Sequence, residues 1–197
     1  MINKFLDYIK SKIGCGYVWG SQGQTLTPEL LNYFKKSFGE KHYDFGTTHA
    51  SKWLGNQCFD CSGLVVAALN ELGLIKMDYT AAGLYGICKN LKKTELRAGD
   101  LVFCKGTSIN HVGVYVGNGE VIEAKGTAYG VVKSKLEARF NLFGRLNFFE
   151  ADKEHWAEQA FDELQALGCE FEVREFDRPI TRGEFFAGLV KFYDAIK

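Results

Sequence analysis

The sequence predicts an α+β fold in which helices precede an antiparallel sheet. Three observations predict it. Apolar residues recur at helical spacing before residue 73, short β-type runs take over after residue 100, and Gly, Asn and Lys punctuate those runs. Of the 197 residues 46% are apolar, which suffices for a sizeable core and excludes disorder as the main state.

In chain order, Ile2, Phe5, Leu6, Ile9 and Ile13 share one helical face, and Gly14 stops the run. Gly14 to Gly20 is a glycine-punctuated aromatic segment, and Pro28 to Phe38 reads as a second short helix. Gly39 to Gln57 is polar and aromatic with little periodicity, so it is expected to be a loop insertion that forms a substrate wall. Ser62 to Leu72 is nearly all apolar and ends at Gly73, the pattern of a central buried helix. The β-type runs are Leu101–Cys104, Val112–Val116, Val121–Ala124, Val131–Lys133 and Arg145–Phe149.

No run of about 18 apolar residues occurs, so no membrane span is expected. Met1 to Gly14 alternates Asp and Lys with apolar residues, unlike a signal peptide, so synthesis in the cytoplasm without one is expected. The 24 basic and 24 acidic residues cancel, and no net field favours nucleic acid. The balance conceals a split: residues 150–197 hold 6 basic and 12 acidic residues, leaving 18 and 12 in residues 1–149. Two domains, 1–149 and 150–197, are therefore expected.

The six cysteines are scattered through a chain with ample core, unlike a disulfide framework. Cys15, Cys88, Cys104 and Cys169 lie among apolar neighbours and read as packing. Cys61 differs, because Asp60-Cys61-Ser62-Gly63 opens the apolar helix, where free amide groups favour a thiolate. A buried structural thiol is the plain alternative. Cys58 and Cys61 also form a CxxC pair, open to redox chemistry or half a zinc site, although no second CxxC or paired His follows. No metal and no cofactor are expected.

The two strands flanking Gly117-Asn118-Gly119 fix their register by parity. A two-residue loop would group Val112, Val114 and Val116 with Glu123 and Lys125, burying charge among valines. A three-residue loop pairs Val116 with Glu120 and groups those valines with Ile122 and Ala124. His111, Gly113, Tyr115, Val121, Glu123 and Lys125 then share the other face. In that register His111 lies diagonal to Glu123, at roughly 7 to 8 Å between backbones, within reach of two long side chains. Of the four histidines, His42 and His49 fall in the irregular loop and His155 in the acidic tail, so His111 is the one on a strand facing a carboxylate. Cys61 as nucleophile, His111 as base and Glu123 as orienting carboxylate would make a thiol triad. On parity alone Glu123→Gln is expected to act between wild type and Glu123→Ala.

Four segments resemble the NlpC/P60 cysteine peptidases, enzymes of circularly permuted papain-like fold that cut bacterial cell-wall peptides. They are Gly16-Tyr17-Val18-Trp19-Gly20, Phe59-Asp60-Cys61-Ser62-Gly63-Leu64, Leu96-Arg97-Ala98-Gly99-Asp100-Leu101-Val102-Phe103, and Asn110 to Gly119. The resemblance implies Cys61 as nucleophile and His111 as base, with Tyr17 near the thiolate and oxyanion and Asp60 and Ser62 lining the site. Two features depart from the family pattern. The third position, commonly His, is Glu123, and the Gly39 to Gln57 insertion is unusual.

The acidic end resembles a single S-layer homology module, a wall-polymer binder. Trp156, Ala160, Leu164 and Leu167 form a stripe ended by Gly168, and Thr181 with Glu184 suggests a capping box. The resemblance implies Trp156, Arg178 and Arg182 as wall contacts, a secondary cell-wall polymer as a second partner, and homo-oligomerisation through the module. The combined expectation is a peptidoglycan hydrolase of the phage endolysin type, or one exported by a non-classical route, that cuts a stem-peptide amide. An N-acetylmuramoyl-L-alanine amidase and a catalytically silent wall-binding protein are the alternatives.

Overall fold

Helix α1 (Ile2–Ser11) buries Phe5, Leu6 and Ile9 on one face and ends near Gly14, whose positive φ of 92° turns the chain back. There the Gly14 N–H donates to the Val131 carbonyl, tying the helix end to a distant strand. The computed structural model describes residues 1–149 together with Phe186, Val190 and Tyr193. The chain divides into two compact units, Met1–Glu150 and Ala151–Lys197. In the second, the three described residues are helical and exposed. The expected sites Trp156, Arg178 and Arg182, and Cys169, lie outside the described residues.

The first unit is α+β. A small sheet orders β1 (Gly16–Tyr17), β5 (Gln57–Phe59) and β2 (Gln22–Thr25), with β1 parallel and β2 antiparallel to β5. Helix α2 (Pro28–Phe38) begins as its sequence dictates: Thr27 accepts the Leu30 N–H and Pro28 occupies the first turn. The expected loop insertion is more ordered than its composition suggests. It holds short 3₁₀ turns at Glu40–His42 and Ala50–Trp53 and a hairpin of β3 (Asp44–Phe45) with β4 (Thr48–His49). Tyr43 and Ala50 are fully buried against Leu31 and Phe34 of α2, so burial of two residues orders a segment without period.

Helix α3 (Cys61–Glu71) buries Leu64, Val65, Val66, Ala68 and Leu69. The adjacent β-branched pair Val65-Val66 disfavours a helix by tenths of a kcal/mol, whereas burial contributes about 1.5–3 kcal/mol per large apolar side chain. Packing therefore wins. Helix α4 (Ala81–Gly86) follows, capped by Thr80. The main sheet then orders β10 (Gly130–Lys135), β9 (Glu120–Gly126), β8 (Ile109–Gly117), β7 (Leu101–Lys105), β11 (Leu142–Leu146) and β6 (Cys88–Leu91), with all neighbours antiparallel. Helices α1 and α3 cover one face with Phe103, Val112, Val114, Ile122 and Ala124 in the core, while Val102, Val121 and Phe140 form a smaller cluster on the other. No helix among the described residues is long and apolar enough to cross a membrane.

The Arg97-Ala98-Gly99-Asp100 segment gains a structural reason. Asp100 accepts the Arg97 N–H at 2.6 Å and receives Arg145 of β11 at 2.7 and 2.8 Å, fastening the entry of β7 to its neighbour. Gly99 has a φ of 97°, and a Cβ there would meet Ile2 of α1 at 2.1 Å.

The hairpin register agrees with parity, since Val114 pairs with Ile122 and Tyr115 with Val121. The loop differs from the expected three residues. Gly117 pairs with Glu120 across a two-residue Asn118-Gly119 turn with φ of 53° and 73°, and a bulge at Val116 restores the register. One bulged residue thus does what the extra loop residue was expected to do.

Candidate active site

Asp60 makes the N-terminus of α3 a fixed point. Its carboxylate accepts the Gly63 N–H at 2.7 Å, the Gly20 N–H at 2.8 Å and the Ser62 hydroxyl at 3.2 Å, so one side chain caps the helix and anchors the segment after β1. Burial pushes the Asp60 carboxyl up, against the pull of these three donors. A Cβ on Gly63 would stand 2.2 Å from the Ser21 carbonyl, which itself accepts the Asp60 N–H at 2.8 Å. The glycine at position 63 is therefore set by the close approach of the Ser21 carbonyl to the helix start.

Cys61, 7% exposed, sits at the first helical position. The backbone N–H groups of Val112, Ser62 and Cys61 itself favour its ionised form. Burial nevertheless dominates and, with the Asp60 charge, pushes the thiol up to about 12. The helix terminus favours the ionised thiol, as the sequence led one to expect of its position, and desolvation opposes it. Tyr17, in β1, is raised by burial and then by the Cys61 and Asp60 charges, which leaves a neutral phenol beside the thiol.

A cleft of about 440 Å³ opens before Cys61. Asp60 and Ser62 line it, joined by Trp19, Phe38, Asp78, Tyr79 and Asn110, which sequence reasoning missed. The insertion supports this wall from behind. His42 stacks on Trp19 at 4.9 Å, and the Tyr43 hydroxyl donates to the Trp19 carbonyl at 3.1 Å.

His111 follows Asn110 on β8, and its neighbour Val112 presents the N–H that faces the thiol. Its Nε2 lies 2.6 Å from Glu123 Oε2, so Nδ1 is the ring nitrogen left for another partner. The diagonal contact foreseen by parity is thus formed. Glu123 is fully buried, and its other oxygen accepts the Ser134 hydroxyl and the Arg139 guanidinium. Burial alone would raise this carboxyl, but the bonds from His111, Arg139 and Ser134 outweigh it and hold it down at about 2. It is an anion at every working pH. Ser134 was legible by extending parity one strand further, since it pairs with Val121 on the same face; Arg139 comes from a loop and left no periodic signal.

Gly113 lies on this face between His111 and Tyr115, and a Cβ there would sit 2.6 Å from Val121 and 3.2 Å from the Glu123 Cβ. The missing side chain lets Glu123 lean across to His111. Gly113→Ala is expected to cost about 1–3 kcal/mol and to displace Glu123, seen as a lowered Tm together with an activity loss exceeding what the unfolded fraction explains.

The CxxC pairing dissolves. Cys58 is buried in the cluster behind the small sheet with its thiol toward the Asn56 carbonyl at 3.3 Å, whereas Cys61 belongs to the main core, and both thiols are free.

The model of the NlpC/P60 family matches residues 40–142. The bifunctional muramidase/DL-endopeptidase CwlT of Bacillus subtilis is 43% identical over 82 residues, covering 39% of this chain and 25% of that protein. The murein DD-endopeptidase MepH of Escherichia coli is 44% identical over 84 residues, 40% of this chain and 31% of that protein. The chain thus spans about a third or less of these relatives' length. Among solved structures, the peptidoglycan hydrolase RipB of Mycobacterium tuberculosis superposes with a TM-score of 0.53 at 22% identity, over 74% of this chain and 64% of that one. That likeness is one of fold. The family match, which takes in Cys61, His111 and Glu123 and covers just over half of the sequence, decides membership: the chain belongs to the NlpC/P60 family.

Proposed function

We propose that the protein is a peptidoglycan hydrolase that cleaves an amide bond of the stem peptide through Cys61, His111 and Glu123. The observation that carries the reading is the 2.6 Å contact of His111 Nε2 with buried Glu123, next to a cleft lined by Cys61. It leaves Nδ1 as the proton acceptor for the thiol. Two relatives named as cell-wall endopeptidases support the substrate class.

In this mechanism the Cys61 sulfur adds to the scissile carbonyl carbon as its proton passes to His111 Nδ1. The carbonyl oxygen becomes an oxyanion, for which the amide groups at the start of α3 and the neutral Tyr17 phenol are the candidate donors. The C–N bond then breaks, the leaving amine takes the proton from His111, and a thioester remains. A water gives its proton to His111 and attacks the thioester, releasing a carboxylate and restoring the thiol. Glu123 keeps the imidazole oriented through both steps. Residues 150–197 serve wall targeting in this reading, on the strength of their S-layer homology resemblance, with Trp156, Arg178 and Arg182 as contacts.

Mass spectrometry of fragments released from defined muropeptides tests the proposal. A new amine within the stem peptide is expected. Release of an intact stem peptide from the muramoyl group would make the protein an amidase instead. Retained binding without any cleavage would make it a wall-binding protein.

A further inference from the structure

Glu123 raises a difficulty that His111 alone does not resolve. A fully buried carboxylate anion with an imidazole as its one partner favours the protonated ring, because the imidazolium then balances its charge. Such a cation has no capacity to take a proton from a thiol. In the mechanism proposed above His111 takes the proton from the Cys61 thiol, so the imidazole has to start neutral.

The surroundings of Glu123 supply what is missing. His111 of β8 meets Oε2, while the Ser134 hydroxyl of β10 and the Arg139 guanidinium donate to Oε1. From β7, the Cys104 thiol lies 3.7 Å from Arg139. Further out are Glu137, bonded to Arg139 Nε at 2.8 Å, and Lys125 of β9, whose charge acts on Glu137. Arg139 is the one cation that bonds Glu123 besides His111, among the described residues. Its guanidinium also lies 4.3 Å over the Phe140 ring, which in turn lies 6.1 Å from the His111 imidazole.

We propose that Arg139 is a positioning residue that balances the buried Glu123 charge, so that Glu123 orients His111 without trapping it as an imidazolium. This rests on the thiol mechanism proposed above. Arg139 reaches neither Cys61 nor the cleft lining; it acts through Glu123.

The test uses two readouts. In full-length Cys61→Ser protein labelled at histidine, NMR follows the His111 ring through pH in three backgrounds: Arg139, Arg139→Met and Arg139→Lys. In the Cys61 enzyme, the pH dependence of kcat/KM for muropeptide cleavage is measured for the same set. Loss of a charge at this distance is expected to raise the titration midpoint by about one pH unit, with Arg139→Lys returning most of it. The acid limb of kcat/KM is expected to move the same way, with rate recovered at higher pH. If Arg139→Met does not fold, Arg139→Gln, neutral but still an N–H donor, carries the same comparison. An unmoved midpoint in a folded neutral variant overturns the proposal and makes Arg139 a brace for its loop. A midpoint that moves while cleavage proves insensitive to His111→Ala would uphold the charge balance and refute the thiol mechanism instead.

Discussion

Cys61→Ala protein is expected to show no measurable cleavage of muropeptides, a loss of at least about 10⁴-fold, while its Tm stays near that of the wild type. The large kinetic effect follows from position. Cys61 is the one thiol among the residues lining the cleft, and no neighbouring group there can take over acyl transfer: Ser62 has its hydroxyl committed to Asp60 at 3.2 Å, and Asp60 is held by three donors. The small stability effect follows from the contacts of the sulfur. It rests among backbone N–H groups, and removing it relieves a desolvated group as well as losing some packing, a net of about 1 kcal/mol or less. Circular dichroism and thermal melting check the fold, and product analysis checks the rate. Lysis by Cys61→Ala at a wild-type rate would remove Cys61 from the mechanism.

Much of this site was legible because it obeys period and parity. The apolar run from Leu64 to Leu69 with Asp60-Cys61 ahead of it placed a thiol at a helix start, and alternation along β8 and β9 placed His111 diagonal to Glu123. What escaped has no period. Trp19 and Asp78 reach the cleft from irregular segments, and Arg139 reaches Glu123 from a loop 16 residues away. The small sheet also escaped, because its strands are two to four residues long and pair across about 40 positions, too short to show alternation. The opposing effect of burial on the thiol was not legible for another reason. A helix terminus is visible in a sequence, whereas the burial that opposes it is a property of the assembled core.

The orienting carboxylate gives the second large effect, with an order of variants that parity alone does not foresee. His111→Ala removes the base and is expected to cost on the order of 10³–10⁴-fold in kcat/KM. Glu123→Ala leaves the imidazole in place but unaimed, at about 10²-fold. Glu123→Gln would fall between Glu123→Ala and wild type if only the lost charge mattered. The bonds around Oε1 argue otherwise. Arg139 has only donors, and together with the Ser134 hydroxyl it draws the amide carbonyl of the new side chain to its own side. The amide NH₂ is then turned toward His111 Nε2, which must accept. The ring proton moves to Nδ1, the nitrogen that should receive the thiol proton, so the well-aimed ring sits in the wrong tautomer. Glu123→Gln is therefore expected to lose on the order of 10³-fold, more than Glu123→Ala, with nearly unchanged KM because no cleft contact is lost. Because Glu123 is held at about 2 in the folded protein, its own protonation does not mimic this loss above pH 4. Steady-state kinetics on the three variants at pH 7 decide the order. A Glu123→Gln enzyme faster than Glu123→Ala would mean that the amide keeps its carbonyl on His111 and that Arg139 does not dictate its orientation.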